Sequence, residues 1–268
     1  MQLCEGARVI PECRVSGCLE RAKNRAATMK NVDLISFPDE QDLAEAAAEQ
    51  WLKQLETPSR QERNPYCVAL AGGRITRRFF ETVAQLAPAG SDRWRAAQFF
   101  WSDERCVPPD DAESNFGMAR DLLLAPLRIP EDQIHPVRGE EPPALAASRA
   151  EAELRRIATV DPSGQPVLDL IFLGMGEDGH VASLFPGESE AALVSKAVYR
   201  AVKAVKPPPQ RITMGYATIA AARQTWVLAS GAGKETALRE SLSPDGHTPL
   251  ARVLRLRSHT RILTTILK

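Results

Sequence analysis

The stretch Val167-Leu168-Asp169-Leu170-Ile171-Phe172-Leu173-Gly174-Met175-Gly176-Glu177-Asp178-Gly179-His180 decides the fold. Its first seven residues are the most hydrophobic run of the chain, broken only by Asp169, and they predict a buried strand opening into a glycine-rich loop. Outward from it, apolar runs alternate with helical patterns. Strands are predicted at Val32 to Ser36, Tyr66 to Leu70, Ala96 to Trp101, near Val198 to Val205, at Trp226 to Ser230 and at Arg261 to Ile266. Asp39 caps a helix through Leu55, with Leu43, Ala47 and Trp51 on one face. Further helices are predicted from about Thr76 to Leu86, after a Ser114 cap through Leu122-Leu123-Leu124, over Pro142 to Val160, and from Lys234 to Leu242. Such alternation predicts an α/β protein: a mainly parallel sheet flanked by helices on both faces. No internal repeat or long linker divides it, so residues 31–268 read as a single domain.

The 268 residues carry 34 Lys plus Arg and 34 Asp plus Glu, with 44% hydrophobic and 25% charged side chains. This is a globular composition without the basic excess that a nucleic-acid backbone or an anionic membrane would require, so neither partner is expected. No apolar run reaches the roughly 18 to 20 residues of a spanning helix. The five cysteines (Cys4, Cys13, Cys18, Cys67, Cys106) form no Cys-x-x-Cys pair, and the four histidines (His135, His180, His247, His259) stand singly. Free thiols in a reducing, cytoplasmic setting are expected, with no metal site. Residues 1–30 lack both periodicity and an apolar signal core, and Glu5, Glu12 and Glu20 are out of place in a transit peptide. They read as a disordered N-terminal extension, with a start at Met29 as an alternative.

In open α/β sheets ligands bind beyond the carboxyl ends of the strands, so the loops after strands are where chemistry should gather. Gly72-Gly73, between a strand and a helix, lets backbone amides approach a phosphate at the helix start. Gly174 to Gly179 has the GxGxxG spacing, but a dinucleotide fingerprint belongs to the first strand-helix turn and needs an acid about 20 residues on. The strand near Val198 offers none, so NAD binding is rejected. His180, directly after Asp178-Gly179, reads as a base held near water, its ordinary pKa of about 6.5 letting the neutral ring take a proton.

Leu70-Ala71-Gly72-Gly73, Trp101-Ser102-Asp103-Glu104-Arg105-Cys106-Val107-Pro108, Ser114-Asn115-Phe116, Gly174 through His180 continuing as Val181-Ala182-Ser183-Leu184-Phe185-Pro186, and Gly233-Lys234 stand in that order. Over about Val32 to Lys268 this pattern resembles the 6-phosphogluconolactonases. The resemblance implies a fold like that of glucosamine-6-phosphate isomerase, hydrolysis of 6-phospho-D-glucono-1,5-lactone to 6-phosphogluconate, and no cofactor. It makes His180 the general base, Asp178 the group that orients it, and Asp103 a positioning acid. Gly72, Gly73, Arg105, Arg211 and Lys234 become contacts to the phosphate and the sugar acid. Where many relatives carry Ser-Thr-Pro after the glycines, this chain has Arg74-Ile75-Thr76. Arg74 is therefore expected to supply a phosphate contact, with the loop hydroxyl missing or moved to Thr76. The developing oxyanion is assigned to amides of Gly174 to Gly179 or to a nearby cation. Oligomeric state is left open.

Other readings compete with this one. Hexosamine-phosphate deaminases and isomerases resemble the chain up to His180, but they carry a glutamate where Phe185 stands and a tyrosine where Arg105 stands. A sugar-phosphate-sensing regulator would need a DNA-binding module that no segment supplies. A non-catalytic sugar-phosphate-binding protein stays open. Ser183 lacks a GxSxG elbow and is not read as a nucleophile. His135 is read as a satisfied loop histidine, Cys67 and Cys106 as packing, and Asp110-Asp111 and Glu140-Glu141 as solvated charge.

Overall fold

Every residue of strand β2, Tyr66–Leu70, is buried, which requires cover on both faces of its sheet. The computed structural model describes residues 31–56 and 65–267, so the extension read over residues 1–30 lies outside the described residues. Six parallel strands carry the molecule: β1 Val32–Ser36, β2, β3 Ala97–Trp101, β7 Leu170–Gly174, β10 Gln224–Ala229 and β11 Thr260–Thr264. Their spatial order is β1-β11-β10-β7-β2-β3. The chain passes from β2 outward to β3, then returns to the other side of β2 as β7 and continues outward through β10 and β11. The crevice between β2 and β7 is therefore the point where strand order reverses, the place such sheets reserve for ligands.

Helix α1, Glu40–Leu55, starts where Asp39 accepts the amides of Gln41 and Asp42 at 2.8 and 3.0 Å. It packs on α2, Arg74–Leu86. Trp51 of α1 meets Phe172 of β7 and Trp94 edge-on at 5.2 and 5.4 Å, and Phe172 in turn meets Trp226 of β10 at 5.8 Å. Burying a side chain such as Phe172 stabilises by roughly 1.5–3 kcal/mol, so this aromatic cluster clamps the sheet under the crevice. Further along are α3 Asn115–Ala119, α4 Pro143–Ile157, α5 Tyr216–Ala221, α6 Glu235–Leu242 and α7 Pro249–Leu256, the last packing on α5 and α6.

Several boundaries differ from the sequence reading; the helix capped by Ser114 is α-helical only through Ala119, and its Leu122-Leu123-Leu124 run lies in the π-helical turn Arg120–Leu124. The run from Val167 is split, because the Asp169 carboxylate accepts the Cys67 amide at 3.0 Å while its own amide donates to the Cys67 carbonyl at 2.8 Å. Only Pro166–Val167 (β6) precedes that break, paired with β5, Thr159–Val160. Helix α4 accordingly stops at Ile157 rather than reaching Val160. The strand near Val198 is β8, Tyr199–Lys203, and it lies in a second, antiparallel sheet of order β4-β9-β8, with β4 at Asp103–Arg105 and β9 at Gln210–Met214. Glu141 is not simply solvated, since it pairs with Arg138 and Arg149.

Candidate active site

Loops leaving the adjacent strands β10, β7, β2 and β3 converge on one cavity of about 410 Å³. Eight of the predicted residues line it: Gly72, Gly73, Arg74, Asp103, Arg105, His180, Arg211 and Lys234. Asp178 does not; it stands behind His180, on the wall of an adjoining cavity shared with Phe185.

The imidazole of His180 is fixed from three sides. Asp178 Oδ1 accepts the His180 amide at 3.1 Å and lies 2.5 Å from Nδ1. A carboxylate only accepts, so Nδ1 carries a proton, and in the neutral ring the lone pair stands on Nε2. Nε2 has no hydrogen-bond partner among the described residues. Phe185 packs on the ring at a centroid distance of 5.0 Å. On the remaining side the ring lies so close to Gly176 that a Cβ there would fall 2.0 Å from Nδ1. Burial pushes the Asp178 carboxyl up, but the amide and imidazole of His180 outweigh it and hold the group below its usual range. The loop's own turn uses the Gly176 amide on the His180 carbonyl at 2.9 Å and the Gly179 amide on the Gly176 carbonyl at 3.1 Å. Those two amides are therefore engaged, which removes them from the expected set of oxyanion donors.

Asp103 and Glu104 are neighbours on β4, and both are buried. Asp103 lines the cavity, where it accepts the Ser183 hydroxyl at 2.6 Å and the Asn115 amide nitrogen at 3.3 Å. Ser183 is fully buried in that bond and has no nucleophilic freedom. Glu104 turns to the backbone, accepting the amides of Arg105, Asn115 and Phe116 at 2.7, 2.8 and 2.7 Å. Burial nevertheless pushes its carboxyl up to about 7, against those amides. Glu104 thus fixes the start of α3, and Asn115 joins Asp103 to the glycine turn: a Cβ on Gly72 would fall 1.9 Å from Asn115 Oδ1. Ser114-Asn115-Phe116 was conspicuous in the sequence, but its bonding to Asp103 and Glu104 was not.

The cations stand in two pairs. Arg105 is held through Nη1 by the carbonyl and carboxylate of Glu113 at 2.9 and 3.1 Å. Arg211 lies 5.8 Å above the Phe185 ring and donates through Nε to the Pro208 carbonyl at 3.0 Å. Burial, then the charge of Arg105, pushes the pKa of Arg211 down. Phe185 thus touches both Arg211 and His180, so this pair belongs to the imidazole end. Lys234 precedes α6 as its N-cap, and Arg74 opens α2. Burial, then the charge of Arg74, pushes the Lys234 ammonium down, and no carboxylate lies within ion-pair distance of it among the described residues. Like charges gathered beside two helix starts make an environment that an anion relieves. Thr76 does not contribute: it is buried and its hydroxyl donates to the Gly72 carbonyl at 3.0 Å. Ser230, unforeseen in the sequence, brings a hydroxyl residue to the wall instead.

An open parallel sheet with a cation-lined cavity at its switch point, and a carboxylate-held imidazole on the wall, defines an α/β protein whose cavity suits a small anion. The model of the family described as glucosamine-6-phosphate isomerases/6-phosphogluconolactonase matches residues 38–263, and the chain belongs to that family. It is 34% identical over 211 residues to a 6-phosphogluconolactonase of Aggregatibacter actinomycetemcomitans, covering 78% of this chain and 85% of that one. It is also 34% identical over 216 residues to a protein of Oryza sativa subsp. indica named a probable chloroplastic 6-phosphogluconolactonase, covering 78% of this chain but 65% of the rice protein. The solved 6-phosphogluconolactonase from Trypanosoma cruzi superposes with a TM-score of 0.77 at 28% identity, over 90% of this chain and 98% of that one. No helix of the described residues is long and apolar enough to cross a membrane.

Proposed function

We propose that this chain hydrolyses 6-phospho-D-glucono-1,5-lactone to 6-phosphogluconate, with His180 as general base. The observation that carries this reading is the imidazole whose Nδ1 is held by Asp178 at 2.5 Å while Nε2 is left without a partner beside the cation-lined cavity. The phosphate occupies the end formed by Gly72, Gly73, Arg74 and Lys234, where two helix starts and two cations meet a dianion. That seating brings the lactone carbonyl to the His180 end. Water attacks the carbonyl carbon as its proton passes to Nε2, and Asp178 stabilises the imidazolium. Charge developing on the carbonyl oxygen faces the guanidinium groups of Arg105 and Arg211. As the ring C–O bond breaks, His180 returns the proton to the departing ring oxygen, leaving a hydroxyl and a carboxylic acid, which gives up its remaining proton to solvent to become the carboxylate of 6-phosphogluconate. Asp103, held by Ser183 and Asn115, positions the ligand's hydroxyl groups. The thiols of Cys67 and Cys106 are unpaired, and we keep the cytoplasmic setting that free thiols suit.

The test is hydrolysis of freshly generated lactone, coupled to a dehydrogenase that consumes 6-phosphogluconate, with the spontaneous rate subtracted. The wild type should accelerate ring opening, and His180→Ala should lower kcat by about 10² or more. A wild type at the background rate would overturn the hydrolase reading and leave a sugar-phosphate-binding protein.

A further inference from the structure

Arg74 occupies the place where a loop hydroxyl was expected, and the structure ties it to a residue that lines no part of the cavity. Glu40, the first residue of α1, accepts the Ser230 hydroxyl through Oε1 at 2.9 Å, and the same oxygen lies 3.4 Å from Arg74 Nη2. To make that contact the guanidinium crosses the Ser230-Gly231 turn, which lines the cavity. The crossing depends on bare backbone: Gly231 has φ +94°, and a Cβ there would fall 2.4 Å from Arg74 Nη2.

We propose that Glu40 is a positioning residue, acting as an internal anion that holds Arg74 across the cavity rim and yields it to the dianionic phosphate of the ligand. This rests on the reading above that the cavity takes a phosphorylated sugar acid. Three features suit the exchange. The Arg74–Glu40 contact is single, long and mostly in solvent, with the Arg74 side chain 73% exposed, so it is weak. A phosphate offers oxygens to two guanidinium N–H groups at once, where Glu40 offers one contact. When Arg74 leaves, Glu40 keeps the Ser230 hydroxyl and Arg78, whose Nε lies 4.0 Å from Oε2, so no carboxylate is left unpaired. A ligand without phosphate leaves Arg74 on Glu40, so the exchange is confined to the phosphorylated sugar acid.

A double-mutant cycle tests the exchange. Binding of 6-phosphogluconate and of gluconate is measured calorimetrically at low ionic strength for wild type, Glu40→Gln, Arg74→Ala and the double variant. Gln keeps an acceptor for Ser230, and thermal melts establish that each variant is folded. Arg74→Ala should weaken 6-phosphogluconate about tenfold, and Glu40→Gln should tighten it about two- to fivefold. In the Arg74→Ala background the Glu40 substitution should change nothing, and gluconate should be indifferent throughout. Equal tightening in both backgrounds would mean that Glu40 merely repels phosphate through space, and it would overturn the exchange while leaving the site's ligand intact. A folded wild type that binds no 6-phosphogluconate would overturn the ligand reading itself, and the exchange with it.

Discussion

Of the three described histidines that face a carboxylate, His259 does so at the exposed Asp33, and the other two, His135 and His180, are built for opposite ends. His135 Nδ1 lies 2.9 Å from Glu153 and its Nε2 lies 2.6 Å from Gln98 Oε1, while the ring stacks on Phe100 at 4.8 Å. His180 Nδ1 lies 2.5 Å from Asp178, and its Nε2 stands free beside the cation-lined cavity. A carboxylate partner therefore does not mark a working base. What separates the two is whether the second nitrogen has an oxygen beside it or open space.

Removing the carboxylate behind His180 should give the largest effect. Asp178→Asn places an amide beside Nδ1, and the amide N–H donates to that nitrogen, moving the proton to Nε2 and leaving no lone pair toward water. We expect kcat to fall by about 10² to 10⁴ with KM little changed, measured in the coupled assay. A kcat within about threefold of wild type would remove the distinction drawn between the two pairs.

A smaller loss should follow from disturbing the seat of the ring while keeping its partner. In Gly176→Ala the new Cβ would meet His180 Nδ1 and Cε1 at 2.0 and 2.1 Å, so the ring must move. Displacements near 1 Å at a reacting group cost up to about 10² in rate, and we expect at least a tenfold loss of kcat in a protein that still melts cooperatively. Full activity would mean that the bond to Asp178 alone orients the imidazole.

Much of this frame was legible in the chain. Strands β2, β7, β10 and β11 announce themselves because each is a short apolar run covered on both faces, and Asp39 and Ser114 announce helix starts by their capping chemistry. The second sheet was half hidden. β9 reads Gln210-Arg211-Ile212-Thr213-Met214, and its buried Arg211 and Thr213 look solvated until β4 and β8 flank them. Helix α7 was overlooked although Thr248-Pro249, a cap followed by proline in the first turn, is a usable signal. The support of the site was less accessible still. Ser102-Asp103-Glu104-Arg105 reads as a polar loop, whereas Asp103 and Glu104 are buried by partners 10 to 80 residues away, such as Ser114 and Ser183. Hydrogen bonds closed by tertiary approach leave no local pattern, and the contact of Arg74 with Glu40 across the Ser230-Gly231 turn is another of that kind.

The smallest effect is expected at His135, where the comparison predicts loss of stability without loss of catalysis. His135→Gln should leave kcat and KM within about twofold of wild type, because nothing of that ring reaches the cavity. Its contribution to stability should carry a pH signature. Burial lowers the His135 pKa in the folded protein, with Glu153 opposing in part, whereas the unfolded chain keeps the ordinary value of about 6.5. Below that value the unfolded state binds more protons than the native state, so the histidine's contribution is present above about pH 6.5 and is lost as the pH falls through the folded pKa. Glu104, raised to about 7 by burial, gives the opposite slope, but it is common to both proteins and cancels in their difference. Urea unfolding of wild type and variant from about pH 5 to 7.5 should therefore show a stability gap that is widest at the neutral end and narrows on acidification. A gap independent of pH would mean that His135 keeps its ordinary affinity for protons despite burial, and a kcat reduced more than twofold would make the second histidine part of the working site.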